Sequence, residues 1–254
     1  MQHLASKLGM AAQRRARSNM QAPPCLSIDD LLSGPQVFKN LSEAELIEHC
    51  LKRDDCVRID SGAVVAYSGK YTGRTPKDKY IVRDGLTENK VWWGANNAME
   101  PEVFRHVRSV ALDYLGQRPV YVVDAFAGAD PHYRIRVRFI VERAYHALFV
   151  HQLLIRPTPE ELRSFQPQWT ILNAAHRSMV PALDHVNGDA VIALNFTDHE
   201  VVVAGTQYAG ELKKSVFTIM NFLLPLEGVM SMHCSANIGP SGDTALFFGL
   251  SGTG

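Results

Sequence analysis

The last six residues, Gly249–Gly254, have the spacing of a phosphate-binding loop. They read GLSGTG and follow the apolar stretch 244–248 directly. In a GxxxxGK[ST] loop, consecutive backbone N–H groups surround the phosphates of a nucleotide, and glycine allows the unusual dihedral angles and the close approach. The lysine and the hydroxyl residue of that pattern are absent here. The glycine spacing alone fits a phosphate loop or a plain turn, and the preceding apolar strand favours the loop.

Two adjacent lysines stand near the start of a helical stretch predicted over 212–224. Lys213 and Lys214 close the segment YAGELKK, which begins at Tyr208. Positive charge at a helix N-terminus opposes the helix dipole, so a nearby anion would explain the pair. A buried lysine can also lose its proton and act as a metal ligand or base. The alternative is a pair of solvated side chains.

Two further segments contain single residues suited to ligand binding. His233 lies in MHCSAN, and a neutral imidazole at the end of a strand can bind a metal ion. Arg74 lies in the loop YTGRTPKDKY, where its planar guanidinium can meet a carboxylate with two hydrogen bonds. A structural histidine and a solvated loop are the respective alternatives. Arg134, Arg136 and Arg138 form one face of an alternating stretch, which suits either an anion or solvent.

Helices and strands must position these residues, and their patterns are readable. A capping box formed by Ser42 and Glu45 predicts a helix over 43–53, and an apolar stripe predicts another over 102–115. Further helices are expected at 144–155 and at 212–224, the latter ended by Pro225. Strands are expected at 63–67, 120–126, 133–141, 169–174, 190–196, 201–205, 229–235 and 244–248. Elements that interleave without strict βαβ order predict an α/β fold with a mixed sheet.

Composition excludes several classes of protein. The 254 residues are 46% hydrophobic, so the chain can bury a large core and is not disordered as a whole. Its 26 basic and 26 acidic residues give no global field to hold nucleic acid or an anionic membrane. No apolar run reaches the 18 residues or so that a membrane span needs. Partners are therefore expected to be small molecules, not nucleic acid or membrane.

Cysteine usage and the first residues bear on location. The four cysteines form no CxxC pair, which favours a reduced compartment and predicts a cytoplasmic protein. The first 28 residues contain four cationic side chains and no carboxylate. That character allows a mitochondrial transit segment, with the matrix as the alternative location, or a solvated extension.

Taken in order along the chain, several segments resemble the ATP-dependent class of phosphoenolpyruvate carboxykinase. The resemblance runs from about residue 38 to the last residue. Several motifs in the order of the family are far more specific than any single motif. The segments are Tyr71–Val82 (YTGRTPKDKYIV), Tyr121–Gly128 (YVVDAFAG), Tyr208–Lys214 (YAGELKK), Asn221–Leu226 (NFLLPL), Met232–Asn237 (MHCSAN) and Phe247–Gly254 (FFGLSGTG).

The resemblance implies a domain organisation and a reaction. Residues 1–36 would be an extension, disordered or targeting. Residues 37–226 would form the mixed-sheet substrate domain, and 227–254 the first strands of an incomplete P-loop nucleotide-binding domain. The implied reaction converts oxaloacetate and ATP into phosphoenolpyruvate, ADP and CO₂, a lyase reaction with phosphoryl transfer at the entry to gluconeogenesis. Mn²⁺ and Mg²⁺ would assist it.

The resemblance also implies roles for individual residues. Arg74 would bind the substrate carboxylate, and Tyr208 would contact substrate or CO₂. Lys214 would contact substrate and, with His233, ligate Mn²⁺, while Lys213 would lie beside the path of the phosphoryl group. The residues that would wrap the triphosphate are Gly249, Leu250, Ser251, Gly252, Thr253 and Gly254.

Departures from the family pattern limit what the 254 residues are expected to do. The family loop continues with a lysine and two hydroxyl residues, and an acidic Mn²⁺ ligand, a second substrate arginine and the adenine pocket follow later. We therefore interpret the chain as a fragment that is inactive on its own. The alternative is a genuinely truncated protein that binds carboxylates or regulates a partner. A different P-loop kinase would share only the last loop.

Overall fold

An eight-stranded mixed sheet forms the centre of the computed structural model, which describes residues 26–53 and 56–249. The strand order is β1-β6-β7-β8-β10-β9-β4-β5. The β6–β7 and β9–β10 pairs are antiparallel, and the other five neighbouring pairs are parallel. The strands of this sheet are β1 Val37–Lys39, β4 Lys79–Val82, β5 Asn97–Met99, β6 Val120–Ala127, β7 Ile135–Val141, β8 Trp169–Ala174, β9 Val191–Asn195 and β10 Glu200–Ala204.

Two hairpins, seven α-helices and a short 3₁₀ helix at Pro76–Asp78 complete the described elements. One hairpin joins β2 (Cys56–Arg58) to β3 (Val64–Ala66), and the other joins β11 (Ser235–Ile238) to β12 (Thr244–Phe247). The helices are α1 Ile28–Leu32, α2 Glu43–Lys52, α3 Pro101–Leu115, α4 Ala144–Leu153, α5 Pro159–Arg163, α6 Pro181–Asp184 and α7 Gly210–Leu226. The predicted α/β fold with a mixed sheet is confirmed.

Helices cover both faces of the sheet, because alternate residues of each central strand face opposite sides. Phe139 and Ile171 pack with α2, α4 and α7 on one face. Their neighbours Ile140 and Leu172 pack with α3 on the other. The central strands therefore consist of nearly continuous apolar residues, as is usual for a sheet buried on both faces.

Two predicted boundaries near α7 were wrong. The helix continues through Pro225 to Leu226, and Gly228 ends it with a positive φ of 74°. The amide of Val229 then donates to the carbonyl of Leu224 at 2.9 Å, which satisfies one of the last free carbonyls. The strand expected at 229–235 does not form, since β11 begins only at Ser235. His233 thus precedes a strand instead of ending one.

Part of the predicted extension over residues 1–36 forms a helix in the described part of the chain. Helix α1 starts at a capping box in which Ser27 and Asp30 satisfy each other's backbone amides. Leu31 of this helix is buried in the core beside α3. The capping signal was present in the sequence and was overlooked. Residues 1–25 lie outside the described part of the chain.

The face formed by Arg134, Arg136 and Arg138 is used within the fold. Arg138 makes two hydrogen bonds, 2.7 and 3.0 Å long, to the buried carboxylate of Asp124 on β6. Arg136 donates to the carbonyl of Gln166, and Arg134 donates to two carbonyls of the β6–β7 connection. These arginines therefore hold the sheet and its loops together.

The β11–β12 hairpin differs from the rest because its apolar side chains lie in solvent. Ile238, Phe247 and Phe248 are each more than half exposed. Within the described residues, the hairpin forms a sheet of its own two strands. None of the described helices has the length and apolar character to cross a membrane.

Candidate active site

A cavity of about 240 Å³ lies between α7, the start of β4 and the loop that precedes it. Lys79 of β4 and Ile192 of β9 are register partners in neighbouring strands, and both line this cavity. Its lining residues are Arg74, Pro76, Lys79, Ile192, Glu211, Lys214, Ser215, Phe217, Thr218 and Asn221. Each of the six from α7 lies three or four residues from another of them, so they form one stripe of that helix.

Lys214 and His233 meet at this stripe. The Nζ atom of Lys214 lies 3.4 Å from Nε2 of His233. The ring of Phe217 lies beneath both, 4.7 Å from the lysine nitrogen and 5.3 Å from the centroid of the imidazole. Thus the structure brings together the two residues for which the sequence predicted a shared metal ion.

The chemistry of this pair suits a divalent ion. Burial lowers the pKa of Lys214, and the nearby charges of Arg74 and Lys213 lower it further. A lower pKa favours the neutral amine, which is the form that can coordinate a metal. Two nitrogen ligands at about 2.1 Å from one ion stand about 3.0–3.4 Å apart in octahedral or tetrahedral geometry, so the observed separation fits. Within residues 26–53 and 56–249, no group of three His, Cys, Asp or Glu side chains completes such a site.

Arg74 lies on the exposed rim of the same cavity, in a loop tied to α7. The amide of Thr75 donates to Oε1 of Glu211 at 2.7 Å, and Glu211 is only 5% exposed. Burial raises the pKa of Glu211, and burial together with the Arg74 charge lowers the pKa of Lys79. Three basic side chains and one carboxylate therefore line the cavity, so its basic groups outnumber its acidic one, which suits an anionic ligand.

The other end of this loop is fixed by Asp189. Lys70 donates to its carboxylate at 2.7 Å, and the hydroxyl of Tyr71 donates to the other carboxylate oxygen. Asp189 lies beside Gly205, where the backbone adopts a φ of 73°. The loop that presents Arg74 is thus held at both ends by carboxylates from distant parts of the chain.

Two predicted site residues lie elsewhere. Lys213 lines a second cavity of about 300 Å³, which is mostly apolar and shares Phe217 with the first. Tyr208 precedes α7, and it is not among the described residues that line the first cavity. Its ring occupies the space that a side chain on Gly210 would need. Gly249 follows β12, and the remaining loop residues Leu250–Gly254 lie outside the described residues.

Comparison with known proteins decides the family. A family model described as phosphoenolpyruvate carboxykinase, of the ATP-dependent type, matches residues 35–254. The chain belongs to the ATP-dependent phosphoenolpyruvate carboxykinase family. The boundary at residue 35 agrees with the start of the resemblance near residue 38.

Curated relatives of this carboxykinase family bear the name phosphoenolpyruvate carboxykinase (ATP). The chain is 48% identical to the protein of Caldanaerobacter subterraneus over 224 residues, which are 88% of this chain and 43% of that protein. It is 49% identical to the protein of Novosphingobium aromaticivorans over 86% of the chain and 41% of the relative. It is 48% identical to the protein of Geobacillus kaustophilus over 89% of the chain and 43% of that protein. The chain therefore spans less than half the length of these carboxykinases.

The sequence reasoning missed three contributors to the candidate site. Glu211 and Lys79 lie inside the two segments that were singled out, yet neither was given a role at the site. A carboxylate three residues before Lys214 faces the same side of a helix, which was a usable signal for Glu211. Phe217 gave no signal, because an aromatic residue on a helix is usually a core residue.

A buried histidine lies behind this site. His146 is 1% exposed, and its Nε2 atom lies 2.8 Å from the carbonyl oxygen of Gln207, next to Tyr208. Burial lowers the pKa of His146 to about 4, and the neighbouring charge of Arg143 acts in the same direction. The imidazole is therefore neutral in the folded protein at physiological pH.

We expect this histidine to make the protein less stable in acid. Between pH 6.5 and pH 4 the unfolded chain binds a proton at His146 and the folded chain does not, so stability falls as the pH falls. The contribution lost between pH 7 and about pH 4.5 is about 2 kcal/mol. Urea unfolding at both pH values measures the loss of free energy of unfolding between them. This loss should be about 2 kcal/mol smaller in His146→Gln than in the unaltered chain.

The exposed His132 supplies the control for that measurement. His132→Gln removes an imidazole that lies in solvent, and it should leave the pH dependence of the free energy of unfolding as it is in the unaltered chain. An unchanged pH dependence in His146→Gln would contradict the assignment.

Proposed function

We propose that this chain forms the substrate-binding part of an ATP-dependent phosphoenolpyruvate carboxykinase that converts oxaloacetate and ATP into phosphoenolpyruvate, ADP and CO₂, as in gluconeogenesis. We also propose that residues 227–254 begin the nucleotide-binding domain and that Gly249–Gly254 contact the triphosphate. The cysteine pattern supports a cytoplasmic location, with the mitochondrial matrix as the alternative. Membership of the family supports the reaction class.

The observation that carries the proposal is the arrangement at the 240 Å³ cavity. Lys214 and His233 stand at a separation suited to one shared ion, and Arg74 lies on the rim of the same cavity. The proposed substrate is a dianion, and its reaction partner ATP is also an anion. A cavity lined by three basic side chains and one carboxylate suits the dianionic substrate. A divalent ion bound there would help to hold the ATP anion beside it.

The side chains divide the work according to their geometry. Arg74 binds a carboxylate of oxaloacetate with its planar fork. Loss of CO₂ breaks a C–C bond and leaves the electron pair as an enolate, whose oxygen attacks the γ-phosphorus of ATP and releases ADP. Lys214 and His233 would hold Mn²⁺, which supplies stabilisation of negative charge on the enolate oxygen. Phe217 shields this pair on one side, which strengthens electrostatic interactions there.

Calorimetric titration with oxaloacetate in the presence of Mn²⁺ tests binding, and ³¹P NMR of mixtures with ATP tests turnover. Formation of phosphoenolpyruvate supports the enzyme. Saturable binding without turnover supports the alternative of a non-catalytic carboxylate-binding protein, or a fragment that needs the rest of its family's length. If neither oxaloacetate nor ATP gives heat, both versions fail.

Arg74→Lys is expected to weaken oxaloacetate binding by about tenfold or more. Lysine keeps the positive charge but cannot donate two parallel hydrogen bonds to one carboxylate. The exposed Lys77→Arg exchange, three residues away in the same loop, should leave the affinity within about twofold. Equal affinity for Arg74→Lys and the unaltered chain would show that charge alone attracts the ligand.

A further inference from the structure

Glu211 occupies an unusual position for a carboxylate in a site that must bind anions. It is 5% exposed and provides the only carboxylate among the described residues that line the 240 Å³ cavity. By Coulomb's law alone, a negative charge there weakens the binding of an anionic substrate. Its presence calls for a role that outweighs this repulsion.

The contact with Thr75 supplies that role. Oε1 of Glu211 accepts the backbone amide of Thr75 at 2.7 Å, across 136 positions of sequence. Thr75 directly follows Arg74, so this one hydrogen bond joins the arginine loop to the helix that carries Lys214. A hydrogen bond from an amide to a buried carboxylate is about twice as strong as one between neutral groups.

The remainder of the loop depends on this tether. Arg74 itself is exposed, and the hydroxyl of Thr75 has no hydrogen-bond partner among the described residues. Lys70 and Tyr71 hold the loop to Asp189, and the nearer of the two, Tyr71, lies three residues before Arg74. The amide of Asp78 donates to the carbonyl of Thr75 at 2.9 Å, but this contact lies within the loop. Among the described residues, only the hydrogen bond to Glu211 joins the segment 72–75 to α7, so its loss would let the guanidinium move away from the cavity.

We propose that Glu211 is a positioning residue for substrate recognition, which holds the Arg74 loop against α7 through the amide of Thr75. This inference rests on the proposed function, because it takes the ligand of Arg74 to be oxaloacetate. A neutral side chain that keeps the acceptor oxygen would preserve the tether. A side chain without an acceptor would lose it.

The two kinds of substitution therefore predict opposite effects on affinity. In Glu211→Ala, oxaloacetate should bind about tenfold more weakly, even though a repelling charge has been removed. In Glu211→Gln, the amide oxygen still accepts from Thr75 and the charge is gone, so the affinity should equal or exceed that of the unaltered chain. Titration calorimetry with oxaloacetate and Mn²⁺ on the full 254-residue chain measures both.

Hydrogen exchange reports the tether directly. The Thr75 amide should exchange about tenfold faster in Glu211→Ala and within about threefold of the unaltered rate in Glu211→Gln. Glu227→Ala, at the exposed C-terminal end of the same helix, should change neither the exchange rate nor the affinity. Circular dichroism at the assay temperature confirms that each variant is folded.

The outcomes separate the inference from the proposed function. If both variants bind oxaloacetate more tightly, charge alone matters and the positioning role is wrong. If affinity stays constant in both while stability falls, Glu211 is only structural. If the unaltered chain binds no oxaloacetate, the proposed function fails, and the exchange rate of Thr75 still decides whether the tether exists.

Discussion

Gly205→Ala is expected to lower the free energy of unfolding by about 3 kcal/mol. An added Cβ would lie 1.9 Å from the carbonyl oxygen of Asp189, an atom of the backbone that cannot move aside as a flexible side chain can. The φ of 73° adds the cost of a left-handed conformation, which is about 1 kcal/mol for alanine. Urea denaturation followed by circular dichroism measures the loss.

Gly62→Ala separates the two costs. Gly62 has a similar φ of 86° in the turn between β2 and β3, but nothing lies within 4 Å of its would-be Cβ. It should lose only about 1 kcal/mol. A loss at Gly205 no larger than that at Gly62 would mean that the backbone near Asp189 yields easily.

Lys214→Ala is expected to weaken Mn²⁺ binding by about tenfold or more, since it removes one of the two nitrogen donors that stand 3.4 Å apart. Electron paramagnetic resonance of Mn²⁺ titrated with the chain measures the bound fraction. The same experiment on oxaloacetate complexes should show a further loss, because the proposed ion and substrate share the cavity.

Lys213→Ala is the matched control for metal binding. Lys213 is adjacent in sequence and of the same type, yet it lines the neighbouring apolar cavity and not the cavity that Lys214 lines. Its removal should change Mn²⁺ affinity by less than about twofold, through the loss of a nearby positive charge. Equal losses in the two variants would show that Mn²⁺ does not use Lys214 as a ligand.

Local patterns in the sequence were sufficient for many elements. The capping box at Ser42 placed the start of α2 within one residue, and the apolar stripe of α3 placed its ends equally well. Strand β8 matches its predicted bounds. These signals depend on neighbours only a few residues apart, so the sequence alone contains them. The ordered motifs likewise sufficed to recognise the family.

Elements near the β11–β12 hairpin were predicted less well, for a physical reason. An apolar run such as 229–235 fits a strand by composition, but a strand also needs a partner for its backbone groups. Among the described residues, pairing begins only at Ser235. Pro225 appeared to end α7, whereas the positive φ of Gly228 does so two residues beyond the last helical position.

The site itself was half determined by sequence. Residue types and motifs predicted Arg74, Lys214 and His233 as site residues without any coordinates, because their chemistry is local to each side chain. The partnership of Glu211 with Thr75 depends on two segments 136 residues apart, and no spacing rule connects them. Only the packed sheet, in which β4 and β9 lie side by side, brings that loop to the helix.

The adjacent lysines show most clearly what the sequence determines and what only the tertiary structure decides. The sequence determined that two cations stand side by side near the start of α7, and successive helical residues point about 100° apart. It could not decide which of them lies beside His233. Burial of Leu212, Val216 and Ile219 against the sheet fixes the rotation of the helix. That rotation turns Lys214 toward Arg74 and His233, and Lys213 toward the other cavity.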